Sequence, residues 1–161
     1  MDPCGGSSDV VSQLLPALTQ CEVLCNDIDV NVPASRHGDA YKAEFWDSIA
    51  DPPDWIIGSP PYAAAARIVR HALGAAKVGV AFKLRLSFLE PCADRIDLLQ
   101  NCPPSSMLVL PRTTYSKKIC GSSHDWMCEA WFVWRLSDLE SKSTKAISVV
   151  SREDFERCAL E

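Results

Sequence analysis

No stretch of this 161-residue chain is apolar for long enough to cross a bilayer, and its start carries no basic residues leading into an apolar leader. A membrane partner is therefore not expected, and an intracellular setting, cytoplasm or nucleus, is. A surplus of base is missing as well: 16 Lys and Arg stand against 21 Asp and Glu, for a net charge of −5. That balance excludes a protein that grips nucleic acid over a broad basic surface. Cysteine is present eight times, yet a disulfide framework is not recognisable. The cysteines are scattered through predicted strands and helices, in a chain too long to need staples, so reduced thiols are expected. A zinc module is also lacking. Cys120, His124 and Cys128 offer three ligands without a fourth, and Cys21 and Cys25 lie too far apart along a predicted strand to share an ion. No structural metal is expected. With 47% hydrophobic residues, the chain can bury one real core.

What is present centres on Asp54-Trp-Ile-Ile-Gly-Ser-Pro-Pro-Tyr62. Trp55–Ile57 is a short apolar run, partly β-branched, as a buried strand would be. Pro60 and Pro61 then remove backbone donors and fix φ, so the strand stops in a stiff loop. That loop holds a hydroxyl, two free carbonyls and an aromatic ring at the strand's carboxyl end, where open α/β sheets bind ligands. The chain opens with Met1-Asp-Pro-Cys-Gly-Gly-Ser-Ser-Asp9, an acid and small residues before an amphipathic run. This reads as a strand-to-helix turn whose backbone N–H groups approach a ligand closely. Cys21–Asp29 is a β-like run ending in carboxylates, and Gly38-Asp39-Ala40 precedes a helix-like segment over 41–49. An acid at the end of the second strand of a dinucleotide-type fold accepts hydrogen bonds from ribose hydroxyls. Further along, 63–73 has helix propensity, and 78–86, 107–110 and 129–134 read as strands.

Ser59-Pro60-Pro61-Tyr62 resembles the (Asp/Asn/Ser)-Pro-Pro-(Tyr/Phe/Trp) motif of S-adenosylmethionine-dependent methyltransferases that modify exocyclic amino groups, chiefly of adenine or cytosine in DNA. Asp2-Pro3-Cys4-Gly5-Gly6-Ser7 is similar to the family's cofactor loop, Asp/Glu-Pro-x-x-Gly-x-Gly, and departs from it in Ser7-Ser8, where a further glycine is common. Leu84-Arg-Leu-Ser-Phe-Leu-Glu90 and Glu129-Ala-Trp-Phe-Val-Trp134 resemble the Arg-Leu-x-Phe-Leu-Glu and Ala-Trp-Phe-Val-Trp stretches of phage-type members. The similarity covers residues 2 to 136.

The resemblance implies an α/β, Rossmann-like class I methyltransferase domain over 1–136, with helices on both faces. Its sheet would be mostly parallel with the last strand antiparallel, and a tail over 137–161 would add a short strand (146–150) and a helix starting at Ser151. The apolar strand that should precede the cofactor loop is absent, since Met1 stands directly before Asp2. The first central strand is thus expected to be missing, or replaced by another chain or by the 146–150 stretch.

For the site, the resemblance implies S-adenosylmethionine held by Asp2, Pro3, Gly5, Gly6 and Ser7, by Asp27 with Ile28 at the ribose, and by Asp39 with Ala40 at the adenine amino group. The Ser59 hydroxyl and Pro60 carbonyl would accept hydrogens of the target amino group, Pro61 would stiffen the corner, and Tyr62 would stack on a base rotated out of its helix. Between Arg112 and Trp126, the residues Arg112, Tyr115, Lys117, Lys118 and His124 face a single acid, Asp125, a mixture suited to phosphates and stacked bases. Ser59 points toward cytosine and the phage-type stretches toward adenine, which is expected first. DNA is the expected acceptor, ahead of RNA or a protein glutamine. No segment remains for reading sequence, so a protein partner would supply specificity. The alternative is a catalytically inactive, truncated methyltransferase-like partner subunit.

Overall fold

Burial alternates along the two longest strands. In β4 (Gly79–Arg85) and β6 (Glu129–Arg135), Val80, Phe82, Leu84, Ala130, Phe132 and Trp134 are fully buried, while Ala81, Lys83 and Arg85 are half-buried. This is the period of two that a pleated sheet imposes when one face meets the core. The strands run antiparallel, with Val80 opposite Trp134, Phe82 opposite Phe132 and Leu84 opposite Ala130. Phe88, from the 3₁₀ turn Leu86–Leu89, closes edge-on over Phe132 at 5.5 Å. These features come from a computed structural model that describes residues 1–6, 11, 21–111, 128–141 and 146–149.

The remaining strands are β1 (Asn26–Asp27), β2 (Arg36–His37), β3 (Trp55–Gly58), β5 (Ser106–Val109) and β7 (Ala146–Val149). The main sheet has the order β3-β4-β6-β5-β7, and β1 pairs with β2 in a second, two-stranded sheet. Pairs β1–β2, β3–β4 and β5–β7 are parallel; β6 runs against both β4 and β5.

Met1 and Asp2 join the two sheets. Asp2 N–H donates to Leu24 O and Asn26 N–H to Asp2 O, both at 2.8 Å, in a parallel bridge to Cys25. On the other side Ile57 N–H donates to Met1 O at 2.9 Å, and the Met1 nitrogen donates to Trp55 O at 2.8 Å. The central position between β1 and β3 is therefore held by a stub of two residues. The 146–150 stretch does not fill it. Ala146–Val149 pairs with β5 at the opposite edge of the sheet.

Among the described residues the helices with full bounds, numbered in order, are α1 (Ala43–Asp47), α2 (Ala65–Ala75) and α3 (Ile96–Asn101). The alanine-rich α2 buries Ala65, Ala66, Ile68, Val69 and Ala72 along one stripe. It starts two residues later than its sequence suggests, because Pro61 O and Tyr62 O are used first by Ala64 and Ala65 N–H in a turn. Likewise α1 is shorter than the expected 41–49 segment. Asp39 Oδ1 accepts Tyr41 N–H at 3.0 Å, and this local bond holds Tyr41 out of the helix. Of the β-like run expected over Cys21–Asp29, only Asn26–Asp27 is a regular strand. The helix expected from Ser151 lies outside the described residues.

Candidate active site

β3 delivers the diproline corner to the carboxyl edge of the sheet. Pro60 is fully buried, while Ser59 and Pro61 are exposed. Both ends of the corner are fastened to the sheet. Ser59 Oγ donates to Lys83 O at 3.5 Å, and the Tyr62 hydroxyl donates to Glu129 Oε1. Glu129 is 6% exposed, and its Oε2 lies 3.7 Å from Lys83 Nζ, so the buried carboxylate is met by an opposite charge and a hydroxyl. The Arg85 guanidinium lies over the Tyr62 ring, 4.2 Å from its centre. A contact of this kind contributes ~0.5–2 kcal/mol, more as water is excluded. Beside the ring opens a cavity of about 310 Å³, lined by Tyr62, Ala66, Leu84, Arg85, Phe88 and Arg95 among others.

The small-residue turn sits directly against this corner. A side-chain carbon on Gly58 would stand 2.4 Å from Asp2 Oδ1, so only glycine before Ser59 admits the Asp2 carboxylate. Asp2 is buried, and its Oδ1 accepts Cys4 N–H at 2.9 Å. Gly5 N–H donates to Asn26 O, and Gly6 N–H to Asp27 Oδ2 at 2.7 Å. Gly6 takes φ +66° and faces open space, a conformation that suits glycine. Asn26, fully buried, donates to both Pro3 O and Gly38 O, clamping the turn to the loop that carries Asp39. Its Oδ1 has no hydrogen-bond partner among the described residues. Burial, then the charges of Asp2, Asp27, Asp39 and Cys25, push the half-buried Cys4 thiol up to about 12, so the three acids share one neighbourhood.

Asp2, Pro3, Gly5, Gly6, Asp27 and Asp39 thus lie together, and Asp2 adjoins Gly58 of the Ser59–Tyr62 corner. Asp27 Oδ1 is also engaged, by Asp29 N–H at 2.8 Å. Ala40 is buried beneath this group, where its carbonyl accepts Trp46 Nε1–H. Ile28 is 66% exposed, outside the group's packed part. Ser7, Arg112, Tyr115, Lys117, Lys118, His124 and Trp126 lie outside the described residues, as does Cys120. Sequence reasoning missed Asn26, Gly58, Lys83, Arg85 and Glu129. A signal existed for the last three: two bases at alternate positions inside an otherwise apolar strand, and an acid opening another.

No family model matches the chain, and no curated protein matches it. Solved structures do. A protein of Listeria monocytogenes assigned as a class I S-adenosylmethionine-dependent methyltransferase superposes with a TM-score of 0.65 at 13% identity, covering 99% of this chain and 62% of that one. The M protein of the type I restriction enzyme EcoKI gives 0.61 at 8% identity, over 92% of this chain and 43% of that one. A Vibrio vulnificus protein assigned as a modification subunit of a type I restriction enzyme gives 0.57 at 8%, over 99% and 47%. The chain spans about half the length of these proteins, and at such identities the likeness is one of architecture. Two parallel sheet portions joined through Asp2, one reversed strand and these superpositions together give the chain the fold of class I S-adenosylmethionine-dependent methyltransferases.

Proposed function

We propose that this chain transfers a methyl group from S-adenosylmethionine to an exocyclic amino group of a nucleobase in DNA, adenine ahead of cytosine. The observation that carries this reading is the contact of Asp2 with Gly58, which sets the small-residue turn against the diproline corner. The residues around the turn fit an adenosine-containing cofactor. Asp27 and Asp39 keep lone pairs for ribose hydroxyls and an amino group beyond their present donors. Gly5 and Gly6 bring backbone close to a ligand, and the orphan Asn26 Oδ1 adds a buried acceptor. Asp2 and Pro3 brace the turn, Ser7 follows them in the expected cofactor loop, and Ile28 and Ala40 flank the two acids. When bound, the cofactor supplies an electrophilic methyl group.

The chain's own task is to position and polarise the acceptor. An exocyclic amino nitrogen is a poor nucleophile, because its lone pair is delocalised into the base ring. The Ser59 hydroxyl and the Pro60 carbonyl accept its hydrogens and favour a tetrahedral, reactive nitrogen. Pro61 keeps those acceptors fixed, which is electrostatic preorganisation. Tyr62 offers a ring for the base to stack on, a contact of roughly 1–3 kcal/mol. Arg112, Tyr115, Lys117 and Lys118 hold the phosphate backbone, and a protein partner supplies sequence specificity, in keeping with the modification subunits among the structural neighbours.

A second reading, an inactive methyltransferase-like partner subunit, is favoured by one observation: Arg85 already covers a face of Tyr62. Calorimetric titration with S-adenosylmethionine separates the two, since absence of binding removes the enzyme. Given binding, Ser59→Ala and Tyr62→Ala are expected to lower methyl transfer to oligonucleotides by about 10²–10³-fold while sparing cofactor affinity. Equal loss of both would make the corner structural.

A further inference from the structure

Tyr62 is held from two directions. Its hydroxyl donates to Glu129, which is itself buried and faces Lys83, and Arg85 covers the ring. The β4–β6 register sets Arg85 opposite Glu129, so both side chains reach the ring from one face of the sheet. Among the described residues Arg85 is incompletely paired in this position, for its Nε–H is buried without a hydrogen-bond partner there. The other cation on the cavity wall, Arg95, has the same buried Nε–H without a hydrogen-bond partner among the described residues, but its fork is committed: its two Nη groups donate to Ser87 O and Cys92 Sγ, and its Nε lies 3.5 Å from Asp94 Oδ1. A guanidinium over a tyrosine ring occupies the seat, at stacking distance, that a nucleobase would take, and the two contacts are of similar strength.

We propose that Arg85 decides which class of acceptor the site takes: it holds the stacking seat on Tyr62 and gives it up to a base whose backbone phosphate receives the guanidinium. The site thereby selects a nucleotide within a phosphodiester chain over a free nucleoside or a glutamine amide. This rests on the reading of the diproline corner as a methyl-acceptor site. A displaced guanidinium needs a new acceptor, and phosphate offers the bidentate, charge-assisted one that its planar fork matches. Adenosine brings a ring for Tyr62 but nothing for Arg85, and a glutamine amide brings neither.

The test titrates adenosine, and separately a short single-stranded DNA of mixed sequence, into the full chain saturated with S-adenosylhomocysteine, so that the cofactor cleft is closed to adenosine. Methyl transfer to the same DNA is assayed in parallel. Arg85→Ala is expected to bind adenosine more tightly and DNA more weakly, each by roughly tenfold, and to reduce the salt dependence of DNA binding by about one phosphate contact. Arg85→Lys should keep the salt dependence while losing part of the DNA affinity, because a point charge does not replace the fork. If Arg85→Ala weakens both ligands by the same factor, or leaves the salt dependence unchanged, in a wild-type protein that methylates DNA, the assignment of Arg85 alone is overturned. A wild-type protein that neither binds S-adenosylmethionine nor transfers methyl removes the proposed function and this inference together.

Discussion

Cys4 shows how strongly the turn is enclosed by its acids. Burial, followed by the charges of Asp2, Asp27 and Asp39, raises its thiol from an ordinary 9.0 to about 12. The folded chain therefore keeps a proton that the unfolded chain releases between those values. The stability this represents is complete below pH 9 and is lost as pH rises toward 12. Iodoacetamide at about pH 8 is accordingly expected to alkylate exposed Cys92 far faster than Cys4, as mass spectrometry of the peptides would show. Similar rates would mean that the turn is open. The acids of this neighbourhood were legible in the sequence: Asp27 ends a strand-like run, Asp39 follows a glycine, and Asp2 opens the small-residue loop. Asn26 gave no such signal, and Glu129 showed only as an acid opening a strand. Their role comes from long-range partners, Pro3 and Gly38 for one and Tyr62 and Lys83 for the other, which no local pattern encodes.

Among the elements, β6 carries the most structure, because it lies between β4 and β5 and aligns Phe132 between Phe88 and Trp134. Phe132→Ala removes a fully buried ring from this row and is expected to destabilise the fold by about 3–5 kcal/mol, measured by urea unfolding. A loss below about 1 kcal/mol would place the core elsewhere. Strands β3, β4, β5 and β6 were readable within a residue or two, since apolar alternation or a short apolar run marks each. The edges of α1 and α2 were misjudged where local bonds, Asp39 to Tyr41 N–H and Ala64 N–H to Pro61 O, outcompete the helix. The short β1 has no periodicity to read. It is regular only where Asp2 and Arg36 meet it on either side.

For the whole molecule, the decisive feature is the narrow join between the two sheets. The role of Met1 and Asp2 between β1 and β3 was not legible, since two residues carry no pattern. Gly58→Ala tests the join directly. The added carbon would lie 2.4 Å from Asp2 Oδ1, and relieving that overlap pushes Asp2 away from β3. A loss of about 1–3 kcal/mol is expected, with amide exchange accelerated in β1 and β2 before β4 and β6. Unchanged exchange in β1 would show that Asp2 does not transmit the strain. Among the described residues, four backbone hydrogen bonds of Met1 and Asp2 make this join, and the residues proposed to hold the cofactor, Gly5, Gly6 and Asp27, are bonded around it. On the proposed reading, a ligand seated there would brace the join from above, so occupancy and stiffness would rise together.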